Sequence, residues 1–232
     1  MIRYFVTSTG TEIGKTHVTA ALAYLARARG LSLRVAKPVV SGIELATLDA
    51  SDPAVLAEAA GITLDAAALD RIAPWRFRAP LSPDMAAARE GREIDFAALV
   101  TFCRSVLAGP ESVKLIEGVG GVLVPLDREH TVRDWIAALE IPALLVAGSY
   151  LGTLSHTLTA LESLDRARIK VRAIVISESV QSSVPLEETL SSLGRFAPGI
   201  PLLTLPRRSE PGGWRYAPEL DQLVDLGQFN DR

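Results

Sequence analysis

The chain has 232 residues, of which 48% are hydrophobic, enough to bury the core of one domain or two small ones. Its net charge of −3 argues against a nucleic-acid binder, and no uncharged apolar run approaches the roughly 18 residues that a membrane span needs. The single cysteine, Cys103, excludes an internal disulfide framework and lies in a helical pattern typical of a buried core thiol. We therefore expect a soluble, cytoplasmic protein without a nucleic-acid or membrane partner.

Short runs rich in Val, Ile and Leu alternate with longer helical patterns along the chain, which predicts a mainly parallel sheet covered on both faces by helices. The predicted strands are Arg3–Thr7, Leu33–Pro38, Val113–Glu117, Pro142–Val146, Ala173–Ile176 and Leu202–Leu205. The predicted helices are Lys15–Arg29, Pro53–Ala60, Pro83–Arg89, Asp95–Ala108, Val132–Leu139, Ser155–Leu164 and Leu186–Phe196. No linker divides the chain, so residues 1–232 are predicted to form one domain, and the tail 211–232 carries no recognisable motif.

The first strand is followed by a variant phosphate loop, which reads STGTEIGKT, and then by an Ala/Leu-rich helix. The usual pattern, G-x-x-x-x-G-K-[ST], places Gly where this chain has Thr9, and Gly10 comes one position late. Lys15 is expected to contact the β- and γ-phosphates of a nucleotide, and the Thr16 hydroxyl is expected to bind Mg²⁺. Gly14 would let the backbone approach the phosphates. The prediction is a three-layer fold of the P-loop NTPase type.

Three further residues follow predicted strands or begin a helix near this loop. Lys37 precedes Pro38, at the end of the second strand, and could either be an ordinary surface lysine or stabilise charge that develops during phosphoryl transfer. Asp52 could cap the helix that follows or act as a second carboxylate for Mg²⁺, and the sequence by itself favours the cap. Glu117 ends an apolar strand before several glycines, which is a suitable position for a Mg²⁺ ligand.

In this order, the motifs resemble those of the dethiobiotin synthetase family, which catalyses the ATP-dependent ring closure of biotin synthesis. The family's G-T-D-T-E-V-G-K-T corresponds to Ser8–Thr16, its K-P-V-x-S-G to Lys37–Gly42, and its E-G-A-G-G to Glu117–Gly121. Two longer stretches, RFRAPLSPDMAAAREGREI and YLGTLSHTLTALE, also look like family motifs. The resemblance runs from Met1 to about Ile176, with weaker similarity to Pro206.

The resemblance implies that 7,8-diaminopelargonic acid and CO₂ form a carbamate, which ATP phosphorylates before the second amine closes the ring. It implies catalytic roles for Lys37, Lys15 and Thr11, and Mg²⁺ ligation by Thr16, Asp52 and Glu117. Substrate-binding positions are Ser41, Thr11, Thr153, Leu154 and Ser155. Nucleotide-binding positions are Glu12, Ile13, Gly14, Lys15, Thr16, His17, Glu117, Gly118, Val119, Gly120, Ser177, Leu205, Pro206 and Arg207.

The resemblance further implies a homodimer, in which the helix start at Gly152–Ser155 receives the substrate carboxylate in the partner's site. A simpler interpretation is a helix capped by Thr153 or Ser155. The chain departs from the family at Ser8-Thr9-Gly10, Asp84, Ser155 and Ser177, the last of which replaces an Asn near adenine. Because Ser offers fewer hydrogen-bonding groups than an amide, we expect other nucleoside triphosphates to compete with ATP.

Three alternatives remain from the sequence. A partition or septum-positioning ATPase shares the fold type, but it needs a second Lys where this chain has Gly10. An amidotransferase-linked cobyrinate amidating synthetase would require a glutaminase domain with a Cys nucleophile, and Cys103 is in the wrong setting. A paralogue that closes a different ring is left open by the loop changes.

Overall fold

The computed structural model describes residues 1–182, 184–208, 210 and 212–226, with the side chains of residues 45–47 excepted. Its strands are β1 (Ile2–Ser8), β2 (Leu33–Ala36), β3 (Val39–Ser41), β4 (Trp75–Phe77), β5 (Val113–Glu117), β6 (Ala143–Ala147), β7 (Val171–Ser177) and β8 (Leu202–Leu205). Its α-helices are α1 (Lys15–Ala28), α2 (Asp52–Ala60), α3 (Ala66–Ile72), α4 (Pro83–Arg89), α5 (Phe96–Ala108), α6 (Val132–Leu139), α7 (Thr153–Arg166) and α8 (Leu186–Phe196). Three 3₁₀ segments cover Leu45–Ala50, Gly213–Arg215 and Pro218–Val224.

Six strands form one parallel sheet in the order β2-β5-β1-β6-β7-β8. Each of the six predicted strands is present, because short apolar runs buried on both faces are typical of parallel sheets. This order places β1 at the centre, and the carboxyl ends of its neighbours β5 and β6 lie on either side of the phosphate loop. Ligands of open α/β sheets bind at this edge.

Helices cover both faces of the sheet, as predicted. One face packs against α1, α2 and the C-terminal 3₁₀ segments through residues such as Leu22, Leu56 and Leu220. The other face packs against α4 to α8, where Cys103 and Trp135 are fully buried. The three-layer prediction is therefore confirmed, and Cys103 is a core residue whose thiol pKa burial raises to about 12.

A second, two-stranded sheet was not predicted. It pairs β3 with β4 in parallel and packs near α3, which was also missed. Each of these strands has only three residues, too few for a pattern of period two to be recognisable. The predicted strand that ran to Pro38 stops at Ala36, because the Lys37 N–H donates to Ile72 O outside the main sheet and Pro38 has no N–H to donate.

The described part of the C-terminal tail belongs to the core. Trp214, Leu220, Leu223 and Val224 are buried against the α1 side of the sheet. The indole of Trp214 meets the ring of Tyr24 on α1 edge to face, with ring centroids 5.7 Å apart. Sequence reasoning missed this because 3₁₀ segments have no long apolar periodicity. The remaining predicted tail residues, 211 and 227–232, lie outside the described residues.

Candidate nucleotide and substrate site

A cleft of about 700 Å³ opens at the carboxyl edge of the main sheet. The phosphate loop forms one wall, and residues after β2, β3 and β5 form the others. Its lining combines charged groups with an apolar side. The residues are Thr11, Glu12, Ile13, Gly14, Lys15, Thr16, Lys37, Val40, Ser41, Gly42, Asp52, Pro80, Leu81, Ser82, Pro83, Val119, Gly120 and Val124.

The phosphate loop adopts two left-handed backbone conformations, at Glu12 with φ 58° and at Gly14 with φ 102°. Gly14 also packs so closely under Ser177 that a Cβ at position 14 would lie 2.5 Å from the Ser177 hydroxyl oxygen. Glycine is therefore required there for both conformation and space. The helix α1 begins directly afterwards, so the N–H groups of its first turn face the cleft without partners inside the helix.

Lys15 is almost completely buried at the start of α1. Its Nζ donates to Ser8 Oγ and to Gly10 O, both at 3.0 Å. Burial, together with the nearby ammonium of Lys37, lowers the Lys15 pKa to about 8. A cation held in this way at the base of a phosphate loop is suited to binding phosphate oxygens.

Lys37 is 5% exposed and is therefore not a surface lysine. Its Nζ lies 2.5 Å from Asp52 Oδ2, 2.6 Å from Glu117 Oε1 and 3.4 Å from Thr16 Oγ1. Burial alone would lower the Lys37 pKa, but the two carboxylates outweigh it and raise the pKa above the usual value. The side chain therefore remains a cation inside the cleft.

The predicted helix cap at Asp52 is wrong. The N-cap of α2 is Ser51, whose hydroxyl accepts a hydrogen bond from the Ala54 N–H at 3.4 Å. This frees the Asp52 carboxylate to pair with Lys37, and although burial opposes it, that cation holds the Asp52 pKa below its usual value. The charge of Asp52 therefore belongs to the cleft.

Glu117 is fully buried at the end of β5, and its Oε1 accepts a hydrogen bond from Thr16 Oγ1 at 2.6 Å. Its Oε2 has no hydrogen-bond partner among the described residues. The side chains around Lys37 thus offer a set of oxygen ligands, from Thr16, Asp52 and Glu117, and oxygen is the ligand atom that Mg²⁺ prefers. The described residues contain no group of three His, Cys, Asp or Glu side chains that could hold a metal, so a hydroxyl and nucleotide oxygens would have to complete such a site.

Ser41 at the end of β3 and Thr11 in the phosphate loop, the two predicted substrate contacts outside α7, both line the cleft. Apolar atoms of Val40, Leu81 and Val124 face the same space. Sequence reasoning had not assigned the cleft residues at 80–83. The motif-like stretch RFRAPLSPD was the signal that could have found them, because it brings α4 to the edge of the cleft.

The start of α7 does not line this cleft within one chain. Its N-cap is Gly152, in a left-handed conformation with φ 98°, so the predicted capping by Thr153 or Ser155 is wrong. The buried Thr153 hydroxyl donates instead to Gly148 O at 2.7 Å. Leu154 and Ser155 are exposed, so the first turn of α7 is open at the surface.

The residues predicted to lie near the adenine base of the nucleotide are found at the carboxyl ends of β7 and β8. Ser177 is half-buried beside Gly14, and the Leu205 side chain is buried, so Leu205 offers only its backbone to this edge. Its carbonyl accepts a bond from the Glu178 N–H at 3.0 Å, and the Glu178 carboxylate accepts one from the Arg207 N–H at 2.8 Å. These bonds hold the two loops together.

His17 lies on the first turn of α1, on the side of the predicted base site, and is partly buried. Burial and the charge of Arg207 lower its pKa. Among the predicted nucleotide-binding residues, Glu12, Ile13, Gly14, Lys15, Thr16, Val119 and Gly120 share the cleft. His17, Gly118, Ser177, Leu205, Pro206 and Arg207 do not line that cleft, and Glu117 reaches it only through its contacts with Thr16 and Lys37. The part of the chain that the structure describes has no helix long and apolar enough to span a membrane.

Comparison with known proteins identifies close relatives. A family model described as an AAA domain matches residues 3–207. The ATP-dependent dethiobiotin synthetase of Acidiphilium cryptum is 49% identical over 87% of this chain and 91% of its own length. The enzyme of the same name from Caulobacter vibrioides strain NA1000 is 46% identical, and the match covers 96% of this chain and 97% of that one.

Solved structures with a similar fold are much more distant in sequence. A chain from the MinC:MinD cell division protein complex of Aquifex aeolicus superimposes with a TM-score of 0.59, over 100% of this chain and 98% of that one. The sequence identity is 12%, so the similarity shows a common fold and nothing about shared activity.

Proposed function

This chain belongs to the ATP-dependent dethiobiotin synthetase family, and we propose that it closes the ureido ring of dethiobiotin from 7,8-diaminopelargonic acid, CO₂ and ATP. One amine attacks CO₂ and loses a proton to give a carbamate. A carbamate oxygen attacks the γ-phosphorus, and ADP leaves. The second amine then attacks the carbonyl carbon of the resulting anhydride, loses a proton and expels phosphate. Such an enzyme is expected in the cytoplasm.

The observation that carries the proposal is the buried Lys37 between Asp52 and Glu117, next to Lys15 and Thr16. Phosphoryl transfer to a carbamate brings two anions together, so a site for it needs cations near the line of attack. Lys15 and Lys37 supply fixed positive charge in a cleft where burial strengthens electrostatic interactions. Thr11 and Ser41, which line the same cleft, would contact the diamine.

Thr16, Asp52 and Glu117 would hold Mg²⁺, and the Oε2 of Glu117, which has no hydrogen-bond partner in the part of the chain that the structure describes, supports this assignment. When bound, the ion would neutralise charge on the β- and γ-phosphates and orient them. The loop N–H groups and Lys15 would bind the same phosphates, while Ser177 and the loop at 205–207 would border the base.

The test is to incubate the protein with diaminopelargonate, bicarbonate, Mg²⁺ and ATP, and to measure dethiobiotin and ADP by mass spectrometry. We expect the two products in equal amounts. Nucleotide binding without dethiobiotin would contradict the proposal and favour a paralogue that closes a different ring. A partition ATPase is disfavoured because Gly10 stands where those proteins need a second lysine.

Substitution of GTP or CTP for ATP in the same assay tests nucleotide choice at Ser177. We expect measurable turnover with the other triphosphates. A preference for ATP of several orders of magnitude would show that Ser177 does not relax base selection.

A further inference from the structure

The side chain of Ser8 lies at the base of the phosphate loop and is completely buried. Its hydroxyl oxygen accepts hydrogen bonds from Lys15 Nζ at 3.0 Å and from the Gly10 N–H at 3.3 Å. Two carbonyl oxygens lie within reach of its proton, Gly10 O at 2.5 Å and Gly120 O at 3.1 Å. One small hydroxyl thus joins the end of β1, the phosphate loop and the loop after Glu117.

These contacts constrain Lys15 in particular. An ammonium group has three N–H donors, and two of them are directed to Ser8 Oγ and Gly10 O. This leaves one donor for a phosphate oxygen. A lysine side chain otherwise loses considerable rotamer entropy when it is immobilised, so a lysine held in place before the nucleotide arrives avoids that loss on binding.

The same hydroxyl also connects two loops beside the cleft. Gly10 belongs to the phosphate loop, and Gly120 follows the β5 carboxylate. The backbone reinforces this connection, because Ser8 O accepts a hydrogen bond from the Val122 N–H at 3.1 Å. Loss of the side-chain hydroxyl would leave that backbone contact in place. It would remove the bonds to Gly10 and Gly120 together with the Lys15 contact, so the effect that depends on Lys15 has to be separated by comparison with a Lys15→Gln background.

We infer that Ser8 is a positioning residue, which acts on the nucleotide phosphates through Lys15. The inference rests on the proposal that this cleft binds ATP, but it does not depend on which ring the enzyme closes. The family motif has Gly at this position, so the hydroxyl is a feature of this chain.

A double-mutant cycle tests the inference in the full-length protein. The Kd of a non-hydrolysable ATP analogue, adenylyl imidodiphosphate with Mg²⁺, is measured by calorimetry for the unmodified protein, Ser8→Ala, Lys15→Gln and the double variant. We expect Ser8→Ala to weaken binding by about three- to tenfold when Lys15 is present, and by less than about 1.5-fold when Lys15 is Gln. Equal effects in both backgrounds, no effect, or tighter binding by Ser8→Ala would overturn the inference.

Ser32→Ala is the matched control, because Ser32 pairs with Ser112 through side-chain oxygens 3.2 Å apart before β2 and β5, at the opposite edge of the sheet. It should leave the Kd unchanged. Thermal denaturation of each variant shows whether the fold is retained, and the comparison between Lys15 backgrounds removes any general loss of stability. If the unmodified protein binds the analogue but makes no dethiobiotin, the proposed reaction fails while the cycle still decides the role of Ser8.

Discussion

Lys37 pairs with both carboxylates of the cleft, so its substitution is the most direct test of the proposed chemistry at a single residue. We expect Lys37→Gln to bind Mg²⁺ and ATP with little change, since Lys15 and the loop remain. Turnover should fall by about 100-fold or more, because a charge that stabilises the transition state is lost. Steady-state dethiobiotin formation and nucleotide titration measure the two effects.

Lys114→Gln is a suitable control for this prediction. Lys114 is also a buried lysine on a strand, but its Nζ contacts Met1 Sδ at 3.2 Å, near the start of β1 and away from the cleft. Its substitution should leave turnover per folded molecule unchanged. A normal rate in Lys37→Gln would remove Lys37 from the mechanism.

The lowered pKa of Lys15 leads us to expect that nucleotide binding depends on pH. Its pKa of about 8, lowered mainly by burial, means that it is a cation below that pH and increasingly neutral above it. The association constant for Mg·ATP should therefore be nearly constant at about pH 7, begin to fall as the pH approaches 8, and fall above it by at most about tenfold per pH unit. Calorimetric titrations between about pH 7 and 9.5 measure this. Lys15→Gln should bind weakly at every pH, and a flat profile in the unmodified protein would contradict the prediction.

The C-terminal 3₁₀ segments pack against α1, the helix whose first turn contains Lys15 and Thr16. Trp214 packs on Tyr24, and Arg215 stacks on the Trp214 ring and pairs with Glu58 on α2. We expect Trp214→Ala to lower the free energy of unfolding by about 3–5 kcal/mol, because it removes a buried aromatic side chain and leaves a cavity.

Urea denaturation of Trp214→Ala measures this loss, with Tyr216→Ala as the control. The Tyr216 side chain is largely exposed, so its loss should change the free energy of unfolding by no more than about 0.5 kcal/mol. Similar small changes in both variants would mean that the segment does not stabilise α1.

Short elements explain most of what sequence reasoning missed in the fold. The strands β3 and β4 are paired by contacts between residues 36 positions apart, Val39 with Trp75 among them, and neither strand is long enough to show a pattern. The longer elements were recognised because burial of one face imposes a regular spacing of apolar residues over many positions. The start of α7 was placed two residues late, since the helix begins at Thr153 rather than Ser155.

At the scale of the whole molecule, exposed apolar side chains lie near the solvent-accessible first turn of α7. Leu151 is 87% exposed and Val180 is 76% exposed, and reciprocal hydrogen bonds of 3.0 Å between Ser149 and Ser179 hold their two loops together. Exposed apolar groups that cluster in this way are typical of an interface. The proposed homodimer would cover them and place α7 at the partner's cleft.

We expect a dimer by sedimentation and a monomer after Leu151→Asp, because a charge in an apolar interface opposes association. Ring closure should fall by at least about tenfold while Mg·ATP binding is retained, since the phosphate loop lies within one chain. Phe196→Asp, which changes an exposed apolar residue at the end of α8, should remain dimeric. A fully active monomeric protein would contradict the homodimer.

The sequence by itself determined the sheet and helix class, the phosphate loop and the acidic residue at the end of β5, because each depends on residues close together in the chain. It left the environment of Lys37 undecided and favoured the wrong role for Asp52. Only the tertiary structure decided these points: the fold brings residues 15, 52 and 117 together around the buried Lys37, with Asp52 still partly exposed. Whether a charge is solvated or paired depends on neighbours distant in the chain, and local patterns contain no information about them.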